Sequence, residues 1–176
     1  MRSRNAAMDK LQGLPMAACS LWTDNERSVL AYILEVAMVD AALIEKMKCN
    51  IPSSRGLGIT LRILEVKSVH VHFTMDIPAS LGNYRGGIHG GTGYFIGEIG
   101  CGFATYSFGV NNVCNSATVN FFKAVPCCKA DVETEPLHKG RSTAVIRVTT
   151  REAATGKMLF QSTHNMFLLG PLKDDE

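Results

Sequence analysis

A handful of residues in the middle of the chain have types and spacing that suit attack on a carbonyl. Asn83 stands six positions before His89, which opens the run His89–Gly90–Gly91, and Glu98 follows nine positions after His89. Glycines at a helix start leave backbone N–H groups free, and the helix dipole there favours negative charge. Such donors fit the oxyanion that forms when a carbonyl carbon is attacked. Glu98 falls about two turns into the same helix, among apolar and small neighbours. Burial there raises a carboxyl's pKa toward a value useful in a general base.

These groups need a scaffold, and the surrounding periodicity supplies one. Val69, Val71, Phe73, Met75 and Ile77 alternate with His70, His72, Thr74 and Asp76, the mark of a half-buried strand. An earlier strand covers about Ile59 to Val66, and the short Lys67–Ser68 step predicts an antiparallel hairpin between the two. After the glycine-rich break from Gly82 to Gly91, the apolar stretch Thr92–Phe108 reads as a helix. Gly93, Gly97, Gly100 and Gly102 argue against it, since each glycine costs about 1 kcal/mol relative to Ala inside a helix. Four of them make sense if a sheet packs very close to the helix backbone.

Four further strands follow, at Cys114–Val125, Cys128–Leu137, Ser142–Arg151 and Lys157–Leu168. Turn signals separate them at Pro126, at His138–Lys139–Gly140 and at Ala154–Thr155–Gly156. Upstream, Thr23 with Glu26 forms a capping box, and Val29, Ile33, Val36 and Ala37 continue at helical spacing to about Lys48. Asn50 and Pro52 end that helix. The fold class is therefore α+β, with an antiparallel sheet against one central glycine-rich helix and an extra N-terminal helix. Residues 1–22 read as a disordered arm, 23–170 as a single domain and 171–176 as a tail.

With these elements in place, the motif resembles that of the hotdog-fold thioesterases of the phenylacetic-acid-degradation branch. That family has an Asn six positions before the His of a His-Gly-Gly and an acid nine positions after it, as Asn83, His89 and Glu98 stand here. Ser116, ten residues before Pro126, matches a family serine at the same distance from a proline. Ala154–Thr155–Gly156–Lys157, with Gln161 and His164, is similar to the family's final hairpin and strand. The likeness covers about Ile59 to Gly170.

The resemblance implies hydrolysis of acyl-coenzyme A. Asn83 and the Gly90 N–H would polarise the thioester carbonyl, and Glu98, helped by Ser116, would hold and activate water. His89 would orient the site near the leaving sulfur. It also implies a homodimer whose subunits share each site, pairing further into a homotetramer. Relatives carry Asp where this chain has Glu98, although a neighbouring branch uses Glu. The extra methylene moves the carboxylate by about 1.5 Å, one bond length. Glu98 as base and Glu98 as nucleophile therefore both stand.

Composition excludes several other classes. Lys and Arg total 18 against 16 Asp and Glu, a net charge of +2 with no basic stripe, so nucleic acid is not the expected partner. Charges interrupt every apolar run well short of the roughly 18 residues a membrane span needs, so no insertion is expected. Met1 to Gly13 lacks the apolar core of a secretory signal, which points to the cytoplasm, with mitochondria as the alternative. Cys19, Cys49, Cys101, Cys114, Cys127 and Cys128 show no zinc spacing and read as free thiols.

The remaining polar residues read blandly. His70, His72 and His138 are expected in solvent and His164 at a polar strand position; no metal or cofactor is expected, coenzyme A being part of the substrate. Lys139, Arg141, Arg151 and Lys157 read as solvated charges rather than phosphate ligands. Tyr94, Phe95, Phe103 and Tyr106 are candidates to line an acyl pocket. A hotdog hydratase or dehydratase is the alternative enzyme, although its usual proline-bearing His motif is absent. A non-catalytic acyl-coenzyme A binding module is the alternative without chemistry, and the acid at Glu98 speaks against it.

Overall fold

Strand periodicity from Thr60 onward converts into a six-stranded antiparallel sheet with one long helix on its buried face. The computed structural model describes Met47, residues 56–67 and residues 70–172. The expected arm at 1–22 and, Met47 apart, the expected helix from Thr23 to Lys48 lie outside the described residues. The strands are β1 (Thr60–Lys67), β2 (His70–Asp76), β3 (Val110–Phe121), β4 (Lys129–Lys139), β5 (Thr143–Glu152) and β6 (Met158–Pro171). The helix α1 spans Gly90–Tyr106. Their order across the sheet is β1-β2-β4-β5-β6-β3, so β3 forms one edge.

Register follows from which side chains can be buried together. Lys67 pairs with His70 across the β1–β2 hairpin, and Phe73 pairs with Val132 where β2 meets β4. Val71, Phe73, Met75, Val132, Ile146, Val148 and Met166 are buried, while the alternate positions are more exposed, Thr74 excepted. Each fully buried side chain of this size contributes about 1.5–3 kcal/mol relative to exposure. A one-residue slip would turn the whole set to solvent, which fixes the pairing.

Three of the four glycines that seemed to oppose a helix explain how it sits. A Cβ on Gly93 would lie 2.8 Å from Phe121 Cε1, and one on Gly100 would lie 2.8 Å from Val148 Cγ1. On Gly97 it would collide with Ser162 Oγ and stand 2.6 Å from His164 Nε2. Three strands thus approach the helix backbone more closely than any side chain allows. Gly102 has nothing within 4 Å and carries no such reason. Phe103 packs edge-on against Phe73 at 5.4 Å and is buried, so this member of the expected pocket set belongs to the core. Among the described residues no helix is long and apolar enough to cross a membrane.

Candidate active site

The loop before α1 is built around Asn83. Its Oδ1 accepts from the backbone N–H of Arg85 and of Gly87, at 2.9 and 3.1 Å, and its Nδ2 donates to Ile88 O at 3.2 Å. Gly86, at φ +80°, supplies the turn that other residues rarely adopt. Ile88 N–H donates to Val125 O, and His89 N–H donates to Leu81 O. The loop is thereby pinned to the β3–β4 connection on one side and to the turn at Ala79–Leu81 on the other.

His89 caps the helix, its Nδ1 accepting from Gly91 N–H at 2.9 Å. A neutral ring with Nδ1 as acceptor carries its proton on Nε2, leaving that nitrogen as a donor. Among the described residues nothing accepts from Gly90 N–H, and no acidic side chain occupies the first turn to answer the dipole. His89 and Gly90 are both exposed. The sequence thus leaves an anion-favouring helix end open to a ligand.

Glu98 lies half-buried farther along the helix, and burial pushes its carboxyl above the usual range. Burial holds the Cys101 and Cys114 thiols above their ordinary pKa and the nearby Cys114 does the same for Tyr94, with the Glu98 charge adding to all three. At 1.5 Å per residue, Glu98 is about 12 Å along the axis from Gly90. The structure does not bring Glu98 and the Gly90 N–H of one chain to a single carbonyl.

Nor does it bring Ser116 to Glu98 within one chain. Ser116 is exposed and pairs with exposed Asn165, whose Nδ2 donates to its Oγ at 2.9 Å. The neighbouring His164 and Met166 point the other way, into the core. A β-bulge between Cys114 and Ser116 accompanies this change of face.

Beneath the helix lies a polar group that strand alternation did not single out. His164 is fully buried, 2.9 Å from Ser162 Oγ and 3.7 Å from Cys114 Sγ, with its ring centroid 5.8 Å from that of Tyr94. Burial lowers its pKa to about 4, so it is neutral near pH 7. Of the other histidines expected in solvent, His138 is exposed, whereas His70 and His72 are half-buried with polar partners. His70 Nδ1 is 2.6 Å from Thr134 O, and His72 Nε2 is 2.7 Å from Asp131. Lys139 lies 4.2 Å over the Phe108 ring. Cys101, Cys114, Cys127 and Cys128 are free. Among the described residues no three His, Cys, Asp or Glu side chains gather where they could hold a metal ion.

Comparison with known proteins identifies the fold. Residues 103–161 match the family described as acyl-CoA thioesterase N-terminal domain. A hypothetical thioesterase from Streptococcus pneumoniae, solved with coenzyme A, superposes with a TM-score of 0.66 at 24% identity, covering 74% of this chain and 99% of its own. The Escherichia coli PaaI protein of the phenylacetic acid degradation operon superposes at 0.67 with 19% identity, over 74% and 93%. A Streptococcus mutans protein bound to acetyl CoA superposes at 0.62 with 23% identity, over 65% and 92%. No curated protein sequence matches. The chain has the hotdog fold of the thioesterases, as its motif implied. The family match is confined to residues 103–161, and these neighbours share the fold.

Proposed function

We propose that the protein hydrolyses acyl-coenzyme A thioesters to free acid and coenzyme A, at sites shared between two subunits. The observation that carries this reading is the open helix end. A Gly90 N–H unclaimed among the described residues and a capping His89 stand on the same helix as a half-buried Glu98 whose pKa is raised. Within the hotdog thioesterases, the spacing of Asn83, His89, Glu98 and Ser116 resembles that of the acyl-coenzyme A thioesterase known as thioesterase superfamily member 2.

In this mechanism Gly90 N–H and the remaining Asn83 amide proton hold the thioester oxygen. Ionised Glu98 takes a proton from water as its oxygen bonds to the carbonyl carbon. Collapse of the tetrahedral intermediate breaks the carbon–sulfur bond, and the thiolate leaves toward His89 Nε2–H. Protonated Glu98 gives its proton to the departing thiolate, which leaves as the free thiol of coenzyme A, and the acid departs. Ser116 as a partner of Glu98 rests on the resemblance alone, since within one chain its hydroxyl meets Asn165. Glu98 attack through an anhydride is distinguished by single turnover in ¹⁸O-water, which labels Glu98 only on that route.

Two features support a shared site. The 12 Å along the helix is too long for one carbonyl to bridge, so Glu98 of one subunit would meet the Asn83–His89–Gly90 group of another. Among the described residues the edge strand β3 also presents an unpaired backbone row over Val110–Phe121, without Lys or Pro to block pairing. Two such edges joined would make one continuous sheet. Pairing of dimers into tetramers is implied by the resemblance.

A panel of acyl-coenzyme A thioesters with a thiol-reactive dye tests the reaction. Dye-reactive thiol should appear with each accepted substrate and survive EDTA dialysis, because every group invoked is a side chain or backbone N–H. Product without thiol release would instead mark a hydratase. Loss on dialysis with restoration by zinc would overturn the metal-free mechanism.

A further inference from the structure

We infer that Phe121 sets acyl-group selectivity, its ring forming the wall against which the carbons next to the thioester carbonyl pack. The inference rests on the acyl-thioester reading above. Phe121 ends the edge strand β3 and pairs with Phe160 of β6. A Cβ on Gly90 would lie 3.6 Å from Phe121 Cζ, and one on Gly93 would lie 2.8 Å from its Cε1. Two glycines three residues apart therefore leave a flat face on the first turn of α1, and the Phe121 ring lies on it.

The ring is anchored from below but open above. Phe160 is 3% exposed and its ring centroid lies 6.0 Å from that of Phe121 at 52°. Phe121 itself is 57% exposed. Leaving that much aromatic surface in water forgoes burial energy, and here it stands beside the Gly90 N–H proposed to bind the carbonyl oxygen. The α-carbon of an acyl group is bonded to that carbonyl carbon, so the first methylenes must pass close to the ring. An apolar acyl chain gains contact there, whereas a charged one leaves its charge against an aromatic surface.

The geometry allows the wall to be moved in two directions. Phe121→Ala removes it and should admit longer or bulkier chains. Gly93→Ala forces the ring outward, because its new Cβ claims the position of Cε1. That change should favour shorter chains. In the double variant there is no ring to displace, so the profile should follow Phe121→Ala alone.

The test is kcat/KM for straight-chain acyl-coenzyme A thioesters from acetyl to palmitoyl, measured on wild type and the three variants. In Phe121→Ala the ratio of the first chain beyond the wild-type optimum to that optimum should rise about tenfold or more, the scale of pocket discrimination between neighbouring chains. Gly93→Ala should lower it. Phe121→Leu, which keeps an apolar side chain, covers the case in which the alanine variant fails to fold and should shift the profile in the same direction, but less. A wild-type profile in folded Phe121→Leu or Phe121→Ala would overturn the inference while leaving thioester hydrolysis intact. No hydrolysis by wild type would overturn both.

Discussion

Gly97 and His164 meet with no room for one added carbon, a Cβ on Gly97 standing 2.6 Å from His164 Nε2. His164 is fully buried and cannot swing aside. Gly97→Ala should therefore lower stability by about 1–3 kcal/mol, the usual scale of overpacking. Gly102→Ala, with nothing within 4 Å, should be neutral or stabilise by up to about 1 kcal/mol through helix propensity. Urea unfolding of the two variants checks the contrast. Equal effects would mean the helix does not lie this close to β6.

His164 should also leave a mark on stability against pH. Its folded pKa of about 4 lies below the ordinary 6.5, so the unfolded chain takes up its proton first. Stability from this group is present above pH 6.5 and is lost as pH falls from 6.5 toward 4. The total is of order 3 kcal/mol at 1.36 kcal/mol per unit. The raised pKa of Glu98 has the opposite sign, its contribution being lost as pH rises above 4.5. The difference between wild type and His164→Gln isolates the histidine. That difference should shrink as the solution is acidified, and a constant difference would contradict the buried neutral ring.

Much of this arrangement is legible in the sequence because it is local. Period-two alternation marks β2 through Val71, Phe73 and Met75, and turn residues mark the ends of β4, β5 and β6. The helix is legible despite Gly93, Gly97 and Gly100 because close packing by a sheet is a physical reason for glycine. Sheet order is not legible in the same way. The pairing of β2 with β4, and β3 at the edge, depend on contacts across long stretches of chain. The same limit hides the Cys114–His164 contact and the Phe121 ring over Gly93. The Asn83–His89–Glu98 spacing stands out in one dimension, but the loop bonds of Asn83 and the outward face of Ser116 emerge only once turn and bulge are built.

Glu98 should govern the acid side of activity. A general base acts when ionised, and burial raises its pKa above 4.5, so kcat/KM should fall with acidity around a midpoint above that value. Glu98→Gln should reduce turnover by about 100-fold or more. A folded Glu98→Gln enzyme with normal turnover would remove this carboxylate from the chemistry.

The central claim is a site completed by two subunits, and complementation tests it most directly. Glu98→Ala and Asn83→Ala proteins should each lose about 100-fold or more in turnover. Dissociated, mixed in equal amounts and reassociated at random, about half of the dimers combine the two variants. In each mixed dimer one site carries both substitutions and the other carries neither. The intact site takes its loop from the Glu98→Ala subunit, so any loop distortion caused by losing Asn83 is confined to the dead site. Activity should return to roughly a quarter of wild type for independent sites, far above the parents. Mixed dimers as inactive as their parents would mean that each site is built within one subunit, contradicting the account.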